Sequence, residues 1–142
     1  MPLYTLASKK PFPEQIRFDI AQVITDVHCG LTGAPSEFVN VVFMTGYSMR
    51  RGTILGVNGN VRMGGDRTAV LYEELNNQMH KRVSEAAQLS EDKVLVTLIG
   101  IESNWVVEGG MVLPFPGDEA DWLERKNAAH AAMGIGPVTE YV

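Results

Sequence analysis

Two stretches of this chain carry apolar residues at helical spacing, and each is bracketed by runs of strand character. That repeated order restricts the fold more than any other feature. Ile16, Ile20, Val23, Ile24, Val27 and Leu31 recur three and four apart and form one stripe. The spacing predicts a helix that begins at Pro13, whose fixed φ suits a first turn, and stops at the glycines of CGLTG (29–33). Before it lies PLYTLA (2–7), ended by the prolines of KKPFP (9–13), and after it lies FVNVVFM (38–44). Both read as strands. Leu75, Met79, Val83, Ala86 and Ala87 mark a second helical face. Its flanking strands are read as RTAVLY (67–72) and KVLVTLIGI (93–101), with the glycine-rich stretch TGYSMRRGTILGVNGNVRMGGD (45–66) as a loop.

Strands joined by a helical crossover run parallel. The expected fold class is therefore α+β: two tandem β-α-β units forming one four-stranded sheet with both helices on one face. The units are placed at about 2–63 and 64–117, followed by a C-terminal helix over 118–133 with Asp118 as its N-cap. NWVV (104–107) and MVL (111–113) read as a short strand pair around EGG, and IGPVTEYV (135–142) as a loosely held tail. All 142 residues fit a single domain. The helices leave the second sheet face uncovered and apolar, which predicts self-association through it.

Composition removes several functions. Twelve Lys and Arg against 17 Asp and Glu give a net charge of −5, the wrong sign for a nucleic-acid partner. No apolar run is long enough to span a bilayer, so no membrane role is expected, and no secretory signal pattern opens the chain. Cys29 is the single cysteine and has no disulfide partner within the chain, which favours a reducing, cytoplasmic setting. His28, His80 and His130 show no metal-ligand spacing, so the expectation is no metal. GVNGNVRMGG lacks the Gly-Lys-Ser/Thr of a phosphate loop. His28 and Cys29 are adjacent on a helix and point in different directions, so they do not make a nucleophile–base pair.

Pro2 raises a sharper possibility. Taken alone, a proline there is a turn former. With Met1 trimmed, however, its nitrogen becomes a secondary amine able to carry a proton. Proline behind Met1, the β-α-β repeat and a helix ending ITDVHCGLTG (24–33) together resemble the tautomerase superfamily, and within it the cis-3-chloroacrylic acid dehalogenase group. The likeness covers most of the chain. It is sharp at 24–33, weaker at GGD (64–66) and around VVEGG and LPFPG (106–117), and poor in the second helix. It implies two β-α-β units per chain, a homotrimer, no cofactor, and an amino-terminal proline in each site.

On that resemblance three catalytic residues are expected. Pro2 would move a proton between an enol oxygen and carbon, as an amine whose pKa burial lowers. His28, on the flank of the apolar stripe, would face a cleft and meet the substrate or water. Glu108, in VVEGG, matches a glutamate that activates water. Asn40 in FVNVV stands where simpler tautomerases carry an arginine, and is a candidate substrate contact through its amide. The chain departs from the group at three places: EELNNQMHK (73–81) lacks the two arginines that clamp a substrate carboxylate, and Leu98 falls near the active-site tyrosine. Arg50, Arg51, Arg62 and Arg67 read as solvated loop arginines, any one of which stands as a substitute clamp. The expected function is ketonisation of 2-oxo acid enols. Two alternatives stay open: water addition or dehalogenation on unsaturated acids through Glu108, and a non-catalytic oligomeric binding protein.

Overall fold

The computed structural model describes residues 2–136. Expectations for Met1 and for 137–142 therefore lie outside the described residues. In chain order the elements are β1 (Leu3–Ser8), α1 (Glu14–Thr32), β2 (Asn40–Met44), β3 (Leu55–Met63), α2 (Ala69–Ala87), β4 (Val94–Glu102), β5 (Val107–Glu108), β6 (Met111–Val112) and α3 (Glu119–Ala132). The class is α+β: a four-stranded mixed sheet in the order β2-β1-β3-β4, with β5 and β6 as a separate pair. Strands β1 and β2 run parallel, Leu3 opposite Asn40, as the crossover through α1 requires. Strands β1 and β3 run antiparallel, from Leu3 opposite Asn60 to Ser8 opposite Leu55.

Two compact units result. One holds the chain up to Val61 and from Thr68 to Ile99; the other holds Arg62–Arg67 and the chain from Gly100 onward. In the first, helices α1 and α2 pack side by side. They enclose Tyr4 and Leu6 of β1, Leu55, Val57 and Val61 of β3, and Val94 of β4 against Ile20, Ile24 and Val27 of α1 and Leu75, Met79 and Val83 of α2. Each large apolar side chain enclosed this way contributes about 1.5–3 kcal/mol relative to exposure. Val42, Met44, Leu95 and Ile99 are 38 to 50 % exposed, out of step with the residues that face the helices. The first helix ends as its sequence demands, with Gly33 in the left-handed conformation at φ 74° and its N–H bonded to the Cys29 carbonyl.

The second unit of the repeat departs from expectation. Residues 67–72 do not form a strand: Thr68 is the N-cap of α2, its hydroxyl accepting from Leu71 N–H at 3.2 Å, and the helix is under way by Ala69. The strand lies instead at 55–63, inside the stretch read as a loop. Its inward set is Leu55, Val57, Gly59 and Val61, a period-two pattern in which glycine replaces an apolar residue. So the second β-α-β unit begins at Leu55 rather than at 64. Gly59 has a packing reason: a Cβ there would come within 2.6 Å of a Tyr4 ring carbon and 2.7 Å of Leu98 Cδ2. Gly59→Ala is expected to lower stability by about 1–3 kcal/mol through overpacking. Gly30→Ala on α1, with nothing within 4 Å of its added Cβ, is the matched control and should hold or raise the melting temperature.

Among the described residues, no helix is long and apolar enough to cross a membrane. The C-terminal helix runs Glu119–Ala132 behind Asp118, but the Asp118 side chain makes no capping bond. The Glu119 carboxylate instead accepts from Gly117 N–H at 2.8 Å.

Candidate active site

Pro2 stands immediately before β1 and is buried. Its carbonyl accepts from the Asn40 backbone N–H at 3.0 Å, which ties the start of the chain to the head of β2. Asn40 is therefore brought to Pro2 through its backbone. Its side chain is exposed and donates to the Phe38 carbonyl at 3.1 Å. Because successive strand residues alternate sides, Tyr4 faces the core from two positions further along. Its hydroxyl shares a 2.7 Å hydrogen bond with His28 Nδ1, and the two rings meet edge-on at 5.6 Å and 76°.

His28 thus sits differently from its sequence position on the flank of the stripe. It is fully enclosed within the chain, at 0 % exposure, with the equally enclosed Tyr4 as partner. The helix supplies both reasons. Val27 and Ile24 beside it belong to the core, and the last turns of α1 carry the stripe inward. Sequence reading passed over Tyr4, although a tyrosine two residues after Pro2 on an inward strand position was a usable signal. Leu98, at the position of the expected tyrosine, is packed against the core cluster. Next to His28, Cys29 is half-buried. Burial first, then the Asp26 and Glu37 charges, holds its thiol above the ordinary value, which suits an inert side chain.

Glu108 belongs to the second unit. It ends β5 and pairs with Met111 of β6 across Gly109 and Gly110, whose φ angles of 60° and 80° make a two-residue hairpin turn. The expected strand pair around EGG is thus present. Helix α3 holds this hairpin through residues four apart on one face. Trp122 Nε1–H donates to the Val112 carbonyl at 2.7 Å, His130 Nε2–H donates to the Gly109 carbonyl at 2.9 Å, and between them the Lys126 ammonium lies 4.8 Å from the Trp122 ring centroid. A Cβ on Gly109 would come within 2.6 Å of Lys126 Cε. Gly109→Ala is expected to cost about 1–2 kcal/mol from the left-handed backbone alone, with more from the displaced lysine. Urea unfolding measures it, with Gly110→Ala, which has open space at φ 80°, isolating the backbone contribution.

Arg62 and Arg67 are not solvated loop residues. Arg62 is 6 % exposed at the end of β3. Its guanidinium donates to the Pro114 carbonyl at 2.7 Å and to Glu119 Oε1 at 2.9 Å. Arg67 donates to the Arg62 carbonyl at 2.8 Å. Burial pushes the Glu119 carboxyl up, but hydrogen bonds from Arg62 and from backbone N–H groups, with the Arg62 charge, outweigh it and hold the group below its ordinary value. Arg50 and Arg51 are exposed, as expected. Among the described residues no three of His, Cys, Asp and Glu gather as a metal site would require.

A parallel β1–β2 pair, an antiparallel β1–β3 pair and two helices on one sheet face give the β-α-β fold that the tautomerase resemblance implies. The comparisons with solved structures agree. A crystallised member of the cis-3-chloroacrylic acid dehalogenase family superposes with a TM-score of 0.76 at 25% sequence identity, over 86% of this chain and 90% of that one. A native fused 4-OT matches with a TM-score of 0.65 at 14% identity over 78% and 94%. A macrophage migration inhibitory factor-like protein from Entamoeba histolytica matches at 0.61 and 14% over 75% and 94%. No protein-family model and no curated sequence matches the chain. The chain thus shares the fold of tautomerase-superfamily structures and is similar to a member of the cis-3-chloroacrylic acid dehalogenase family.

Proposed function

We propose that this chain is a cofactor-independent tautomerase that moves a proton between the enol oxygen and the carbon of 2-oxo acid substrates. The observation that carries the reading is Pro2, buried at the head of β1 and fixed by its carbonyl bond to Asn40. Once Met1 is removed, the Pro2 nitrogen is an amine. A free α-amino group titrates at about 7.7–8.0, and burial lowers it toward the pH at which a base works best. His28, enclosed in the chain, bonds the equally enclosed Tyr4 and so braces β1 behind Pro2. Glu108, at the end of a hairpin gripped by α3, orients substrate or water. Asn40 contributes amide donors.

A homotrimer accompanies this reading. The sheet face away from the helices exposes Val42, Met44, Leu95 and Ile99, an apolar surface that a neighbouring copy would cover. Several matched fused 4-OT structures are described as trimers. The single half-buried Cys29 suits a reducing, cytoplasmic setting.

The test is ketonisation of phenylenolpyruvate, followed by ultraviolet absorbance, with protein shown by mass to begin at Pro2 and with Pro2→Ala. A large loss in the variant supports the reading. Equal rates in both, fast or negligible, defeat it.

A further inference from the structure

The sheet order β2-β1-β3-β4 is symmetric about the antiparallel β1–β3 pair, so a local two-fold axis relates the two β-α-β units. Pro2 precedes β1, and Ile54 precedes β3. The carbonyl of Pro2 bonds the N–H of Asn40 at the head of β2 at 3.0 Å. At the other end of the β1–β3 pair, the N–H of Ile54 donates to the carbonyl of Lys93, just before β4, at 2.8 Å. Ile54 lies at the end of this strand pair away from Pro2 and is 44 % exposed beside the inward Leu55. Between them lies the length of β1, six residues or about 20 Å at strand spacing.

A cavity of about 600 Å³ opens at this end of the strand pair, a size that suits a small ligand. Its lining includes Ile54 and Phe12 as apolar walls, with Lys9, Lys10, Arg50 and Arg51 around them. Those four are a third of the 12 cationic residues in a chain of net charge −5. Among the described residues no ion pair joins any of them to a carboxylate. Four cations gathered without a neutralising partner repel one another, and a bound anion relieves that repulsion. The two segments that supply them, KKPFP and MRRGTI, have no part in the proposed proton transfer.

We infer that this cavity is a second, non-catalytic site for a small organic anion, a carboxylate or phosphate ester on a flat apolar body. The anionic group sits among the Lys9, Lys10, Arg50 and Arg51 side chains, and the apolar body lies against Phe12 and Ile54. Arginine supplies paired donors to either anion. The inference stands on the cavity and the charge of its lining and does not require Pro2 to be active.

The experiment uses Pro2→Ala protein and two fluorescent probes, 1-naphthoate and 1-naphthyl phosphate, titrated at low and high salt. Saturable binding of one probe per chain is expected, weakened at high salt and by Arg50→Gln with Arg51→Gln by about tenfold or more. These side chains are exposed, so circular dichroism should show an unchanged fold. Lys81→Gln with Arg82→Gln on α2 serves as the charge-matched control and should leave binding intact. Tighter binding of the phosphate assigns an ester, and tighter binding of the naphthoate assigns a carboxylate. Binding that ignores the Arg50 and Arg51 substitutions, or no saturable binding of either probe, overturns the inference.

Discussion

A chain whose Pro2 nitrogen is blocked, either by retained Met1 or by an uncleaved tag, is expected to lose about 10²–10⁴-fold in kcat/KM for phenylenolpyruvate ketonisation. Acylation turns the amine into an amide, which has no lone pair available to accept a proton at neutral pH. The fold is not at risk, since the Pro2 contact in the structure is its carbonyl bond to Asn40, which acylation leaves in place. Pro2→Ala is the milder change because it keeps a primary amine at the same place, so its loss should be smaller than that of the blocked chain. That ordering, blocked chain slowest, Pro2→Ala intermediate and free Pro2 fastest, is the signature of a proton carrier at this nitrogen. Equal rates for blocked and free chains would show that the amine takes no part. The acidic limb of the pH–rate profile should report an amine of lowered pKa, and that limb should vanish in the blocked chain.

Glu119→Ala is expected to destabilise the protein by roughly 3 kcal/mol, a fall of roughly 10 °C in melting temperature. Its cause is the group left behind. The side chain of Arg62 is 7 % exposed, and the substitution takes from this buried cation the carboxylate 2.9 Å away, while the Pro114 carbonyl stays in place. Replacing both partners, Arg62→Met with Glu119→Leu, should recover most of the loss, because no uncompensated charge remains. The pH dependence has a definite sign. The Glu119 carboxyl is held below its ordinary value of 4.5, so its contribution is complete above that value and is lost as pH falls through the lower, folded one. The stability gap between wild type and Glu119→Gln should therefore narrow only in acid below about pH 4. A gap that is flat through that range would show that the pair contributes nothing through its charge.

Much of the first unit was legible because its signals are local. The stripe from Ile16 to Leu31 and the glycine at 33 specify α1 without help from the rest of the chain, and β-branched residues mark β2. The second unit was legible only in part. Thr68, Ala69 and Val70 have strand-like composition, yet the Thr68 hydroxyl caps Leu71 and the chain enters α2. In β3 the glycine at 59 broke the apolar alternation, and it is there because the Tyr4 and Leu98 side chains fill the space a Cβ would need. That requirement is long-range, so no window of sequence around Gly59 contains it.

The candidate functional residues divide along the same line. Pro2, the histidine-bearing helix end and the Glu-Gly-Gly turn were each visible as short motifs, because backbone chemistry at a proline or a glycine pair is set by the residues themselves. Whether His28 faced solvent or the core was not visible. That depended on the Tyr4 hydroxyl arriving from a strand 24 residues away, within 2.7 Å of Nδ1. Arg62 looked like a loop cation until Glu119 and Pro114, more than fifty residues later, supplied partners, and Arg67 until it met the Arg62 carbonyl. The sequence by itself determined the helical and strand periods, the charge balance and the β-α-β repeat, all properties of near neighbours in the chain. Only the tertiary structure decided which polar groups are enclosed and with whom, because burial and pairing are settled by residues that meet through folding rather than through sequence.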